Sequence, residues 1–194
     1  TINFYIMILP VVAYGHPVLK RVAEEIDNNY PELQKLIDDM FETMYHSEGV
    51  GLAAPQINKS IRLFVIDASP FVENYPEAKD FKKVFINPEI IEYSEECWTF
   101  REGCLSLPDM NEDVVRPSKI TINYLDENFI EHEEEYDGIC ARVIQHEYDH
   151  LEGKVYVDRV APMRKMLLKN KLRGISEGNV DVDYKMIFPN KRRR

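Results

Sequence analysis

The chain has 194 residues, with 34 acidic against 24 basic side chains, a formal net charge of −10 and 44% hydrophobic residues. These values suit one globular domain with a sizeable core, and the acidic balance argues against DNA as a partner. No apolar run reaches the length of a membrane span, and an odd count of three cysteines argues against a disulfide framework and for a reducing, cytoplasmic setting.

In chain order, residues 1–6 precede Met7 and read as an expression remnant, residues 7–188 as a single domain and residues 189–194 as a basic tail. His16, before Pro17, reads as a surface residue. Tyr30-Pro31 opens a predicted helix whose inner face carries Leu33, Leu36, Ile37, Met40, Phe41 and Met44. His46 lies near its end and reads as a capping or surface side chain. The glycines in Gly49-Val50-Gly51 can end that helix and turn the chain. Residues 61–67 read as a strand, and so do residues 84–87, stopped by Pro88. Residues 119–125 alternate Ile120, Ile122 and Tyr124, then turn at Asp126-Glu127-Asn128 into a second arm over residues 129–135. That arm is acidic, so its outer face is solvated and His132 is expected at the surface.

Asp137 and Gly138 mark the start of a further helix, and Gly153 stands where it should stop. Ile139, Val143, His146, Glu147 and His150 then fall on one side of it. The two histidines of His146-Glu147-Tyr148-Asp149-His150 share a face with apolar residues, so they point inward. Imidazoles four residues apart can hold a divalent metal, with Glu147 beside a water on that metal. Residues 163–173 read as a last helix, with Met163, Met166 and Leu167 among Arg164, Lys165, Lys169, Lys171 and Arg173. The basic residues of the C-terminal third gather after Arg159.

A catalytic metal usually takes three protein ligands and keeps a position for water. No histidine follows His150. Glu177 is a possible downstream ligand, in a turn-like Ser176-Glu177-Gly178-Asn179 segment. Cys104 in Glu102-Gly103-Cys104-Leu105-Ser106 is the better candidate, because the adjacent glycine allows close backbone approach and a thiolate is a strong ligand. Cys97 and Cys140 read as small buried hydrophobes.

Three segments together, Gly49-Val50-Gly51-Leu52-Ala53-Ala54-Pro55-Gln56, Glu102-Gly103-Cys104-Leu105-Ser106 and Gln145 through Gly153, resemble the signature motifs of the peptide deformylase family in order and spacing. The similarity runs from about Met7 through the C-terminal helix. It implies hydrolysis of the formyl group from N-formylmethionyl nascent peptides. It also implies one divalent ion per chain on Cys104, His146 and His150, usually Fe2+, with Zn2+, Ni2+ or Co2+ as substitutes. Glu147 would be the general base and then the acid. The Gln56 amide and the backbone N–H of Leu105 would stabilise the oxyanion. Val50, Gly51, Gly103, Ile139 and Val143 would bind substrate, with Glu102 and Arg116 pairing behind the cysteine loop. Some members have an arginine after the second motif where this chain has Met110 and Asn111, a difference at the outer peptide rim. The expected architecture is an α+β domain, with antiparallel strands around a central metal-binding helix and a C-terminal helix beyond. Some members contact the ribosome with that helix, and the same contact is the expectation for the basic helix and tail of this chain, against a plainer reading as a solvated helix and frayed tail. Two alternatives remain at this point: a zinc endopeptidase using Glu177, and a non-catalytic metal-binding protein.

Overall fold

The computed structural model describes residues 6–189. All of the expected remnant except Ile6, and all of the basic tail except Pro189, lie outside the described residues. Helix α1 spans Leu33–His46 and buries Leu36, Ile37, Met40 and Met44 against the sheet. It begins two residues later than Tyr30-Pro31 suggests, because Glu32 takes a left-handed conformation at φ 52. His46 is its exposed last residue and Ser47 is the cap.

A five-stranded antiparallel sheet follows, in the order β2 (Gly51–Ala53), β3 (Leu63–Asp67), β4 (Lys82–Tyr93), β7 (Lys119–Leu125) and β8 (Glu131–Asp137). The expected stop at Pro88 is corrected: β4 runs through it. The ladder shifts register between Ile86 and Glu89, so the missing proline N–H falls in a bulge. Asn87 holds that bulge, accepting from Ile26 N at 3.0 Å and donating to Ile26 O at 2.7 Å. On β8, Glu131, Glu133 and Glu135 are exposed, as expected. His132 is not a loose surface residue: it is half-buried, 2.9 Å from Asp126 Oδ2 and stacked on Tyr124. His16 is also half-buried, and its Nδ1 accepts from Val18 N at 3.3 Å.

A separate hairpin joins β5 (Cys97–Cys104) to β6 (Leu107–Pro117). On β5 the period of two sends Trp98, Phe100, Glu102 and Cys104 to the more buried side and leaves Thr99 and Arg101 exposed. On β6 it turns Met110, Glu112, Val114 and Arg116 inward. The central helix α2, Gly138–Leu151, packs chiefly on β2, β3 and β8 and is buried on nearly every side. Asp137 precedes it and Gly153 follows it in the left-handed region at φ 67, as the sequence suggests. Helix α3 spans Pro162–Glu177 and is anchored by Leu168, Leu172 and Ile175. Met163, Met166 and Leu167 lie outward, each more than 70% exposed. After α3 the chain returns as β9 (Met186–Ile187), parallel to β1 (Val11–Val12), the one parallel pair among the described strands. No helix among the described residues is long and apolar enough to cross a membrane.

Candidate active site

Three elements converge beneath an open cavity of about 680 Å³. Helix α2 presents His146, Glu147 and His150, all within one turn and 9% exposed or less. The end of β5 brings Cys104 opposite them. The short turn after β2, Ala54–Ile57, brings Gln56. Cys104 Sγ, His146 and His150 offer ligand atoms within 4.8 Å of one another, the one such group among the described residues. Cys104 Sγ is 3.4 Å from His150 Nε2. A tetrahedral ion with ordinary metal–sulfur and metal–nitrogen bonds needs an S···N edge of about 3.5 Å, so the donors fit a single ion. Glu177 instead ends α3 and belongs to no such group.

The imidazoles are set up differently. His146 Nδ1 lies 2.9 Å from Glu102 Oε2, which turns the other ring nitrogen toward Cys104. Burial works to lower the His146 pKa, but Cys104 and Glu102 outweigh it and raise it well above the usual histidine range. Burial pushes His150 down to about 3, so that ring is a neutral donor, and its Nδ1 is buried without a partner among the described residues. Ion binding therefore has to displace a proton from the His146 side.

Glu102 is the centre of a buried ionic network. Arg116 Nε and Nη2 grip its two oxygens at 2.6 and 2.9 Å, and Arg142 Nη1 adds a contact at 2.9 Å. Arg116 Nη1 reaches Asp149 Oδ2 at 2.7 Å, and Arg159 closes on the same carboxylate at 2.6 and 2.5 Å. The expected Glu102–Arg116 pair is thus present, and it joins the cysteine strand to α2 through His146. Arg142, Asp149 and Arg159 went unread in the sequence, although Asp149 lies inside the pentapeptide. Arg116 is fully buried, so Arg116→Met takes the two-pronged partner from Glu102, leaving it Arg142, and leaves Asp149 with Arg159 alone. The expected loss is about 3–5 kcal/mol of unfolding free energy, read by chemical denaturation against wild type.

Glu147 is 3% exposed, and its Oε2 is buried with no hydrogen-bond partner among the described residues. Burial, with Glu102 and Asp149 adding to it, pushes its carboxyl up to about 7. A base poised there accepts and returns protons at neutral pH. Gln56 is oriented by Ala53, whose N–H donates to its Oε1 at 2.8 Å. Its Nε2 is left facing Cys104 Sγ and Ser106 Oγ, each 3.4 Å away.

Val50, Gly51, Gly103, Leu105 and Val143 line the cavity. Ile139 does not: it is fully buried in the core beside Ala141 and Ile144. Phe71 and Phe100 line it as well and were not read from the sequence. Gly51 has a reason beyond backbone approach. A Cβ there would meet Glu147 Oε1 at 2.4 Å and Cγ at 2.9 Å. Gly51→Ala is expected to push the Glu147 carboxylate aside and lower turnover about a hundredfold, with metal content per chain unchanged. Turnover near wild type would show that Glu147 tolerates the shift.

A thiol and two imidazoles able to share one ion, beside a buried carboxylate at the floor of an open cavity, define a hydrolytic metalloenzyme. The family model for polypeptide deformylase matches residues 8–166. Peptide deformylase from Christiangramia forsetii is 53% identical over 191 residues, covering 95% of this chain and 97% of that protein. Among solved structures, a peptide deformylase from Legionella pneumophila superposes with a TM-score of 0.75 at 38% identity, covering 86% of this chain and 94% of that one. A class I type b peptide deformylase from Acinetobacter baumannii with Met-Ala-Ser bound superposes at 0.73 with 36% identity, covering 80% and 99%. The chain belongs to the peptide deformylase family. It is a hydrolase that removes the N-formyl group from nascent polypeptides, so the peptidase and binding-protein alternatives fall away.

Proposed function

We propose that Cys104, His146 and His150 hold one Fe2+ ion, which Zn2+, Ni2+ or Co2+ can replace, and that Glu147, Gln56 and Leu105 carry the deformylation. The observation that carries this is the meeting of three ligand atoms within 4.8 Å beside Glu147, whose buried Oε2 has no hydrogen-bond partner among the described residues. A bound ion supplies Lewis acidity to the formyl oxygen and to the attacking water. Glu147 takes the proton of that water and returns it to the departing amine, leaving formate and a free amino terminus. The Gln56 Nε2 amide and the Leu105 N–H donate to the oxygen as it gains charge, each worth on the order of 3 kcal/mol of barrier.

The peptide is placed as an added strand on β2, the sheet's terminal strand. Val50, Gly51, Gly103 and Val143 then stand along the side chain of the leading methionine, a placement supported by their lining the cavity. The catalytic domain is assigned to residues 7–188 and the setting to the cytoplasm. The deciding assay is formate release from formyl-Met-Ala-Ser by protein purified without oxygen, with metal analysis in parallel, since air can oxidise iron and thiol. Metal-loaded protein that releases no formate would overturn the reading.

The ribosome contact is assigned to α3. Its support is the exposure of Lys169 and Arg173 together with outward Met163, Met166 and Leu167. Arg164 is engaged with Glu112 at 2.6 and 2.7 Å, so it is the weaker candidate. Lys169→Glu with Arg173→Glu is expected to weaken ribosome co-sedimentation several-fold while sparing activity on the short peptide. Unchanged co-sedimentation would remove the assignment.

A further inference from the structure

The cysteine loop is a hairpin whose turn consists of Leu105 and Ser106 alone, since Cys104 pairs with Leu107. The favoured two-residue hairpin turns need a left-handed residue. Neither Leu105 nor Ser106 has a positive φ. The turn therefore lacks the local chemistry that usually fixes such a connection, and its shape depends on contacts from outside.

Gln56 reaches the Ser106 hydroxyl, and the contacts to the turn's two carbonyls come from near both ends of the described residues. Tyr14 N donates to Ser106 O at 2.8 Å. The Tyr184 hydroxyl donates to Leu105 O at 2.8 Å. Each carbonyl of the turn is thus held by a different segment, and the two segments are joined. Val11 N donates to Lys185 O at 2.9 Å and Ala13 N to Ile187 O at 2.9 Å, within the parallel β1–β9 pair. The return of residues 179–188 begins at Gly178, left-handed at φ 86, which ends α3 and reverses the chain. Val182 and Tyr184 then line the same cavity as Cys104, Gln56 and Glu147.

We infer that Tyr184 is a positioning residue for deformylation: its hydroxyl clamps the Leu105 carbonyl, fixing the 105–106 peptide plane, and through the Leu105 backbone this limits how far the preceding plane, which carries the Leu105 N–H, can turn away from the reacting formyl oxygen. The inference rests on the proposed role of that amide. It makes the segment after α3 a wall and brace of the active site, and it explains how a turn without left-handed residues can present a donor repeatedly in one place.

Tyr184→Phe removes one hydroxyl and keeps the ring against the cavity. Losing an oxyanion donor costs about 10²–10³ in rate, so a donor that wanders is expected to lower kcat roughly tenfold. KM for formyl-Met-Ala-Ser and metal per chain should stay at wild-type values. A brace serving only stability would lower the unfolding temperature and leave kcat of the folded, metal-loaded enzyme alone. Unchanged kcat, a rise in KM alone, or a fall in kcat that tracks lost metal would each overturn the clamp. Cys104→Ala separates this from failure of the site itself. If that variant kept its metal, the ligand assignment would fall whatever Tyr184 does. If it lost its metal while Tyr184→Phe turned over normally, only the clamp would fall.

Discussion

Glu147→Gln is expected to lower kcat for formate release by about a thousandfold, within the 10²–10⁴ range that a positioned general base contributes, while metal stays at one per chain. The amide fills the same space and cannot take the proton of water. Its neighbours leave no substitute within the helix turn: His146 and His150 are the proposed ion ligands, and Asp149 is closed off by Arg116 and Arg159. The variant should also fold well, because it removes a carboxylate that burial disfavours. A second readout follows from the raised pKa of about 7. In metal-free wild type, the contribution of Glu147 to stability is full below the unfolded value near 4.5 and is lost as pH rises through about 7. Denaturation of metal-free Glu147→Gln should lack that decline. Turnover near wild type would remove Glu147 as the base.

The second large effect is expected from Cys104→Ala. Partners that merely orient a ligand are worth about 10–100-fold in metal affinity, and loss of a ligand itself should exceed that. Metal per chain should fall from one to near zero after dialysis, and formate release with it. The variant also discriminates among metal-site geometries. An endopeptidase of the His-Glu-x-x-His kind would keep its ion through a downstream carboxylate, but Glu177 closes α3 and sits outside the ligand group.

Much of this site could be read from residue order alone. Helix α2 carried its own start, stop and inward face, and the cysteine loop carried a glycine beside a thiol. The β5–β6 hairpin was not legible, and the reason is physical. Its inward positions include Glu102, Glu112 and Arg116, so the alternation of apolar and polar residues that marks a strand is broken by charges that pair only in three dimensions. The continuation of β4 past Pro88 was hidden for a related reason, since a bulge absorbs the proline and leaves no local mark. Ile139 misled because a helix face can be inward without reaching the cavity. Tyr184 stands 79 positions from Leu105, and no local pattern links a return segment to a distant turn.

The alternation along β5 has a consequence for how the enzyme can change. Phe100, Glu102 and Cys104 reach the site by parity, every second residue on the face that Trp98 begins. An insertion or deletion of a single residue between Trp98 and Glu102 would rotate cavity wall, ionic hub and the proposed metal ligand out of phase together. Substitution at the outward Thr99 or Arg101 leaves the phase intact. Divergence in this strand is therefore open to spelling changes and closed to changes of length.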